Sequence, residues 1–178
     1  MSSQATATKH EPSSSQTEYA QPKPALEQDW LQTLVGEWET EIEYHIVQRK
    51  LPLKSKGTES VRSIGGLWIV AEGKSTVMDK PMTSILTLGY DSEQRKYVGT
   101  WASSCMTYLW QYKGSLDLAA ETLMLETEGP SPLSLGTMAK FREVMEVISN
   151  DHRVFTSSVQ GADGKWAKIA TIIYRRKK

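Results

Sequence analysis

The expectation for this sequence is an all-β fold: a ten-stranded antiparallel up-and-down β-barrel, with a short N-terminal helix and a disordered N-terminal tail. Three observations predict it. After Gly36 the apolar residues recur with a period near two rather than 3.6. The alternating runs are joined by short turn-forming segments, and short connections force neighbouring strands to pair antiparallel. Ten strands in chain order would leave two long edges in an open sheet, and closure removes both. A barrel of more than about eight strands also leaves an interior that side chains need not fill, so an internal cavity is expected.

The elements follow in order. Residues 1–25 contain no Leu, Ile, Val, Phe or Trp, and 14 of the 25 are Ser, Thr, Pro or Gln. Such a segment buries too little apolar surface to offset its ordering entropy, so disorder is expected there and a single domain over 26–178. Leu26, Trp30 and Leu34 then recur every four residues, with Leu31 and Val35 beside them, which predicts a short helix stopped by Gly36. In the first strand Trp38, Thr40, Ile42, Tyr44 and Ile46 share one face; Glu37, Glu39, Glu41, Glu43 and His45 share the other. The run of Glu reads as an outward face kept soluble by charge, with an acidic ribbon for a basic partner as the alternative. Strands over 58–64 and 67–77 meet at Gly65-Gly66, a dipeptide suited to a tight turn with positive φ at both positions. Further strands are expected over 82–90, 96–102, 107–113, 123–128, 138–148, 154–160 and 166–175. The longer loops fall at 48–56, 114–121 and 129–136.

Composition narrows the function. The 178 residues carry 21 Lys+Arg against 21 Asp+Glu, without the clustered basic excess of a nucleic-acid binder. One cysteine, Cys105, excludes an internal disulfide and any multi-cysteine cage, and three histidines leave little for a metal site. No cofactor and no metal are expected. No stretch approaches the roughly 20 apolar residues of a membrane span. The N-terminus lacks the apolar core of a secretory signal, so the expected location is the cytoplasm.

Enzyme templates are thin, and no catalytic residue is assigned. Asp151-His152 with Ser157 or Ser158 contains the residue types of a triad but reads as a hairpin turn followed by alternating hydroxyls. Glu126 and Glu128 share a strand face, where two solvated carboxylates are the ordinary arrangement. Cys105 has no adjacent cation to activate its thiol.

Gly36-Glu37-Trp38, after a helix and at the start of the first strand, resembles the Gly-x-Trp of the calycin superfamily of lipocalins, fatty-acid-binding proteins and nitrobindin-type barrels. The resemblance implies that Gly36 and Trp38 are structural. It also implies that an Arg near the far end of the barrel, Arg175 or its neighbour Arg176, stacks on the indole. A closer resemblance runs through Leu34-Val35-Gly36-Glu37-Trp38, Gly65-Gly66-Leu67-Trp68, Leu88-Gly89-Tyr90-Asp91, Gly99-Thr100-Trp101, Glu126-Thr127-Glu128-Gly129-Pro130 and Tyr174-Arg175-Arg176-Lys177. Together these blocks are similar to the uncharacterised bacterial family called domain of unknown function 1579, which implies the barrel and carries over no catalytic roles. The nitrobindin branch holds haem through a histidine inside the barrel. This sequence departs from it, with no His in the last two expected strands and His152 at a turn.

If Trp38 faces inward, Tyr44 does too. Arg62, Ser84, Tyr90, Trp101, Trp110 and Arg142 are further candidates, on strands whose faces mix aromatic with polar residues. An inward Arg62 or Arg142 would anchor a carboxylate. The leading reading is therefore a barrel that binds a small apolar or carboxylate-bearing ligand. The alternatives are an isomerase or hydrolase using the same cavity, and an interaction or homodimer module presenting Trp68 and Trp166.

Overall fold

The computed structural model describes residues 22–45, 51–119 and 121–178, and within them the chain forms one helix and ten strands. The helix α1 spans Leu26–Gln32. The strands are β1 (Gly36–Tyr44), β2 (Leu53–Ile64), β3 (Trp68–Val77), β4 (Lys80–Asp91), β5 (Lys96–Ser103), β6 (Trp110–Asp117), β7 (Thr122–Pro130), β8 (Met138–Ser149), β9 (His152–Gln160) and β10 (Trp166–Arg176). Each strand pairs antiparallel with its neighbours in sequence, and β1 also pairs with β10, so the sheet closes into a barrel without an edge. The short connections dictate this order, and closure satisfies the backbone groups that an open sheet would leave unpaired.

Alternation places two chemistries on the two faces of β1. Trp38, Thr40 and Ile42 are buried, while Glu37, Glu39 and Glu41 are exposed. The outer carboxylates face basic neighbours in register: Glu41 lies opposite Lys56, Glu39 opposite Arg175, and Glu43 pairs with Lys54 at 2.9 Å. The Glu run is thus one side of a solvated charged ribbon across β10, β1 and β2.

The helix closes one end. Trp30, Leu31 and Leu34 pack into the core cluster with Trp38, Leu88 and Tyr97. Tyr97 Oη donates to the Glu27 carbonyl at 2.8 Å, and Gln28 Nε2 donates to the Tyr90 carbonyl at 3.3 Å. Ala25 forms the cap, its N–H donating to Gln28 Oε1 at 2.8 Å. Most of the segment expected to be disordered, residues 1–21, lies outside the described residues, as does Ile46.

Some boundaries differ from expectation. The helix stops at Gln32 and is followed by a tight turn in which the Thr33, Leu34 and Val35 N–H groups bond to the carbonyls three residues back. Gly36 therefore does not stop the helix. It opens β1 at φ +137°, and a Cβ there would lie 2.4 Å from Arg176 Nη1. The expected loop at 48–56 is shorter, because β2 starts at Leu53, five residues early, paired along all of β1. The turn glycines Gly65 and Gly66 have φ +60° and +77°, as their residue type predicts. No helix among the described residues is long and apolar enough to cross a membrane.

Candidate functional site

The barrel interior has two zones. Near α1 it is a packed plug centred on Trp38, whose indole Nε1 donates to the Leu34 carbonyl at 2.9 Å. The Arg176 guanidinium lies 4.2 Å from that ring and donates to the carbonyls of Asn150, Val35 and Thr33 at 2.8, 2.7 and 2.9 Å. Register explains why Arg176 rather than Arg175 takes this place. Arg176 is the cross-strand partner of Trp38, and a shift of one residue sends Arg175 to the outer face.

A second guanidinium, absent from the sequence-based expectation, stacks inside. Arg153 is buried, lies 4.5 Å from the Trp38 ring and 4.2 Å from the Tyr174 ring, and forms an ion pair with Glu59 across the barrel. The charge of Glu59 and burial both push the Tyr174 phenol up, burial the more strongly.

Beyond this plug lies a cavity of about 350 Å³ that reaches the end of the barrel away from α1. Its walls are mostly apolar, built from residues such as Ile42, Leu86, Leu125, Phe155 and Ile172, with Cys105 and Met106 at the rim. Four of the seven candidate ligand residues line it: Tyr44, Ser84, Trp101 and Trp110. Trp110 stacks edge-on with Phe141 at 4.7 Å and with Tyr108 at 5.2 Å, and its indole N–H points to Met106 Sδ at 3.1 Å. Its ring covers Gly129, where a Cβ would meet it at 2.3 Å, so the tryptophan lies flat only because that position has no side chain.

The other three candidates do not line the cavity. Arg62 is exposed, because Val61 and Glu59 take the inner face of β2. Arg142 points outward between a buried Phe141 and a buried Glu143. There its guanidinium covers Trp166 at 4.4 Å and pairs with Glu126 at 3.4 Å. Tyr90 packs in the plug against Tyr97 at 5.2 Å, beneath α1. An inner arginine anchor for a carboxylate is therefore not supplied by Arg62 or Arg142, and Arg153 already holds Glu59.

What faces the cavity instead is a carboxyl. Glu143 is 5% exposed and accepts from Ser157 Oγ at 3.1 Å through Oε1, while Oε2 has no partner. Burial pushes its pKa up to about 8, with the Ser157 bond opposing. Glu143 and Ser157 are direct cross-strand partners, followed around the wall by Ala170 and Tyr44 in register. Tyr112 lines the same cavity, and both burial and the charge of Glu143 raise its phenol. Neither His45 nor His152 is among the lining residues, and His152 is the first residue of β9 rather than a turn residue. Among the described residues no three His, Cys, Asp or Glu side chains cluster as metal ligands.

A family profile for proteins of unknown function, DUF1579, matches residues 23–176. The chain belongs to that family. No curated protein matches this DUF1579 chain. Among solved structures it is similar to Rv2717c from M. tuberculosis, at 12% identity and a TM-score of 0.62, over 88% of this chain and all of that one. A redesigned β-barrel, b11L5F_LGL, matches at 12% identity and a TM-score of 0.46, over 87% of this chain and all of that one. The first likeness is one of barrel fold.

Proposed function

We propose that this DUF1579 protein binds a small, mostly apolar molecule inside the barrel. The observation that carries the reading is the cavity itself: about 350 Å³, with walls that are mostly apolar surface and a rim at the end opposite α1. That volume lies within the range of small-molecule pockets, about 300–1,000 Å³. The plug supports the same reading, because Trp38, Arg153, Tyr174 and α1 fill one end and leave the rest of the lumen open. Titration with 2-ethylnaphthalene, an apolar probe of suitable size, tests it by quenching of Trp101 and Trp110 fluorescence. Saturable one-to-one binding is expected, and the absence of any saturable change would contradict the proposal.

A second reading, acid–base catalysis in the same cavity, is favoured by Glu143, whose raised pKa lies near neutrality. Its test is deuterium exchange at the methyl carbon of 2-acetylnaphthalene in D2O. Exchange accelerated by the protein and lost in Glu143→Gln would support catalysis; exchange at the uncatalysed rate would leave binding as the function.

A further inference from the structure

The ligand's head group is written in the wall. We infer that the cavity takes a neutral molecule with an apolar body and a carbonyl-type hydrogen-bond acceptor, seated against Glu143 and Ser157. The inference rests on the binding role proposed above and adds the chemical class.

Three features of the site lead to it. Glu143 is enclosed by apolar neighbours, since the cavity-facing positions of β7 are Leu123 and Leu125 and those of β8 on either side are Phe141 and Met145. Among the described residues no cation is paired with it: Arg153 is engaged with Glu59 and two aromatic rings, and Lys74, which lines the cavity, pairs with Glu72 at 2.9 Å. A buried carboxylate without a counter-charge costs several kcal/mol, so the carboxyl holds its proton instead. Ser157 then settles which oxygen is free. Its hydroxyl donates to Oε1, leaving the buried, unpartnered Oε2 to carry the proton as an O–H donor. A buried donor without an acceptor selects a ligand that brings one.

Competing head groups fit less well. A ligand ammonium beside Glu143 would require two desolvated charges, and a ligand carboxylate would meet no free guanidinium and a Lys74 already paired with Glu72. Among the described residues, the titratable groups that share the cavity with Glu143 are Tyr112 from β6, Tyr44 from β1, Tyr174 from β10, Glu59 from β2, Lys74 from β3, which is exposed and paired with Glu72 at 2.9 Å, and the rim thiol of Cys105. Burial raises all three phenols, so they stay protonated while Glu143 titrates.

The test uses four probes with one ring system: 2-acetylnaphthalene, 2-ethylnaphthalene, 2-naphthylmethylamine and 2-naphthoate, titrated by calorimetry into wild type, Glu143→Gln and Glu143→Leu. The ketone is expected to bind wild type roughly tenfold more tightly than the hydrocarbon, a gap typical of one buried hydrogen bond. Glu143→Gln, which keeps an N–H donor, should retain the preference. Glu143→Leu should abolish it while still binding 2-ethylnaphthalene, which also shows that the variant is folded. In a Cys105→Ala background, ketone affinity should fall as pH rises through about 8 and hydrocarbon affinity should not. Equal binding of ketone and hydrocarbon would overturn the inference and leave the apolar-ligand proposal standing, as would a preference that survives in Glu143→Leu. Tightest binding of the amine or of the carboxylate would also overturn it. Failure of all four probes would overturn both readings.

Discussion

Glu143 makes the stability of this barrel depend on pH in a way that one substitution should remove. Its carboxyl is raised from an ordinary 4.5 to about 8 by burial. Between those values the folded protein holds a proton that the unfolded chain has released, so the native state binds more protons and its stability falls as pH rises. The loss begins near pH 4.5, grows through neutrality and levels off above about pH 8. At about 1.4 kcal/mol per pH unit, the interval comes to roughly 5 kcal/mol. Against a total stability of about 5–15 kcal/mol for a typical domain, that is a large share. Glu143→Gln keeps the acceptor for Ser157 and cannot ionise, so it should match wild type near pH 5 and exceed it by several kcal/mol at pH 9. Urea unfolding followed by tryptophan fluorescence at each pH from 5 to 9, on both proteins, measures the difference while the other titrating groups cancel. Parallel stability curves would mean that Glu143 ionises as readily folded as unfolded, contrary to what its burial requires.

Four further outcomes follow from the same geometry. Trp38→Ala, which empties the centre of the plug, should cost about 3–5 kcal/mol in urea unfolding. Arg153→Met should cost about 3 kcal/mol by leaving the half-buried Glu59 unpaired, and adding Glu59→Gln should recover much of it. Gly36→Ala should lower the thermal midpoint, since that position combines φ +137° with close approach of Arg176. Arg62→Ala and Arg142→Ala should leave naphthalene-probe affinity unchanged in the same titrations, because both side chains lie outside the cavity wall.

The fold was legible because alternation and short turns are local signals repeated ten times. The run from Trp38 to Tyr44 shows its inner face without help, since one face is all Glu until His45. Closure followed from the cost of unpaired edges rather than from any one residue. The site was legible only in part, because it depends on which face of each strand points inward, and one residue of error exchanges the two. On β8 the polar Arg142 stands out in the sequence, but Phe141 and Met145 share a face with Glu143, and those bulky apolar neighbours are the signal that places the carboxyl inside. Arg153 had the same signal, being in phase with Phe155 and the buried Val159. Its partner Glu59 did not. A glutamate among Ser60, Val61 and Arg62 gives no reason to place it inside until register and Arg153 are known. Gly36 is conspicuous in the sequence, yet the reason a glycine is needed there is the approach of Arg176 from the other end of the chain, a contact that local sequence does not contain.

A ligand in the lumen between the plug and the rim would lie against identifiable methyl groups. Methyl-labelled NMR in the presence of 2-ethylnaphthalene reads them out, through nuclear Overhauser contacts between probe and protein. Contacts are expected to the methyls of Ala71, Leu86, Leu125 and Ile172, which line the cavity, and none to the outward methyls of Ile85 and Ile148. Contacts confined to Ile85, Ile148 or other outer-face residues would contradict ligand binding in the lumen.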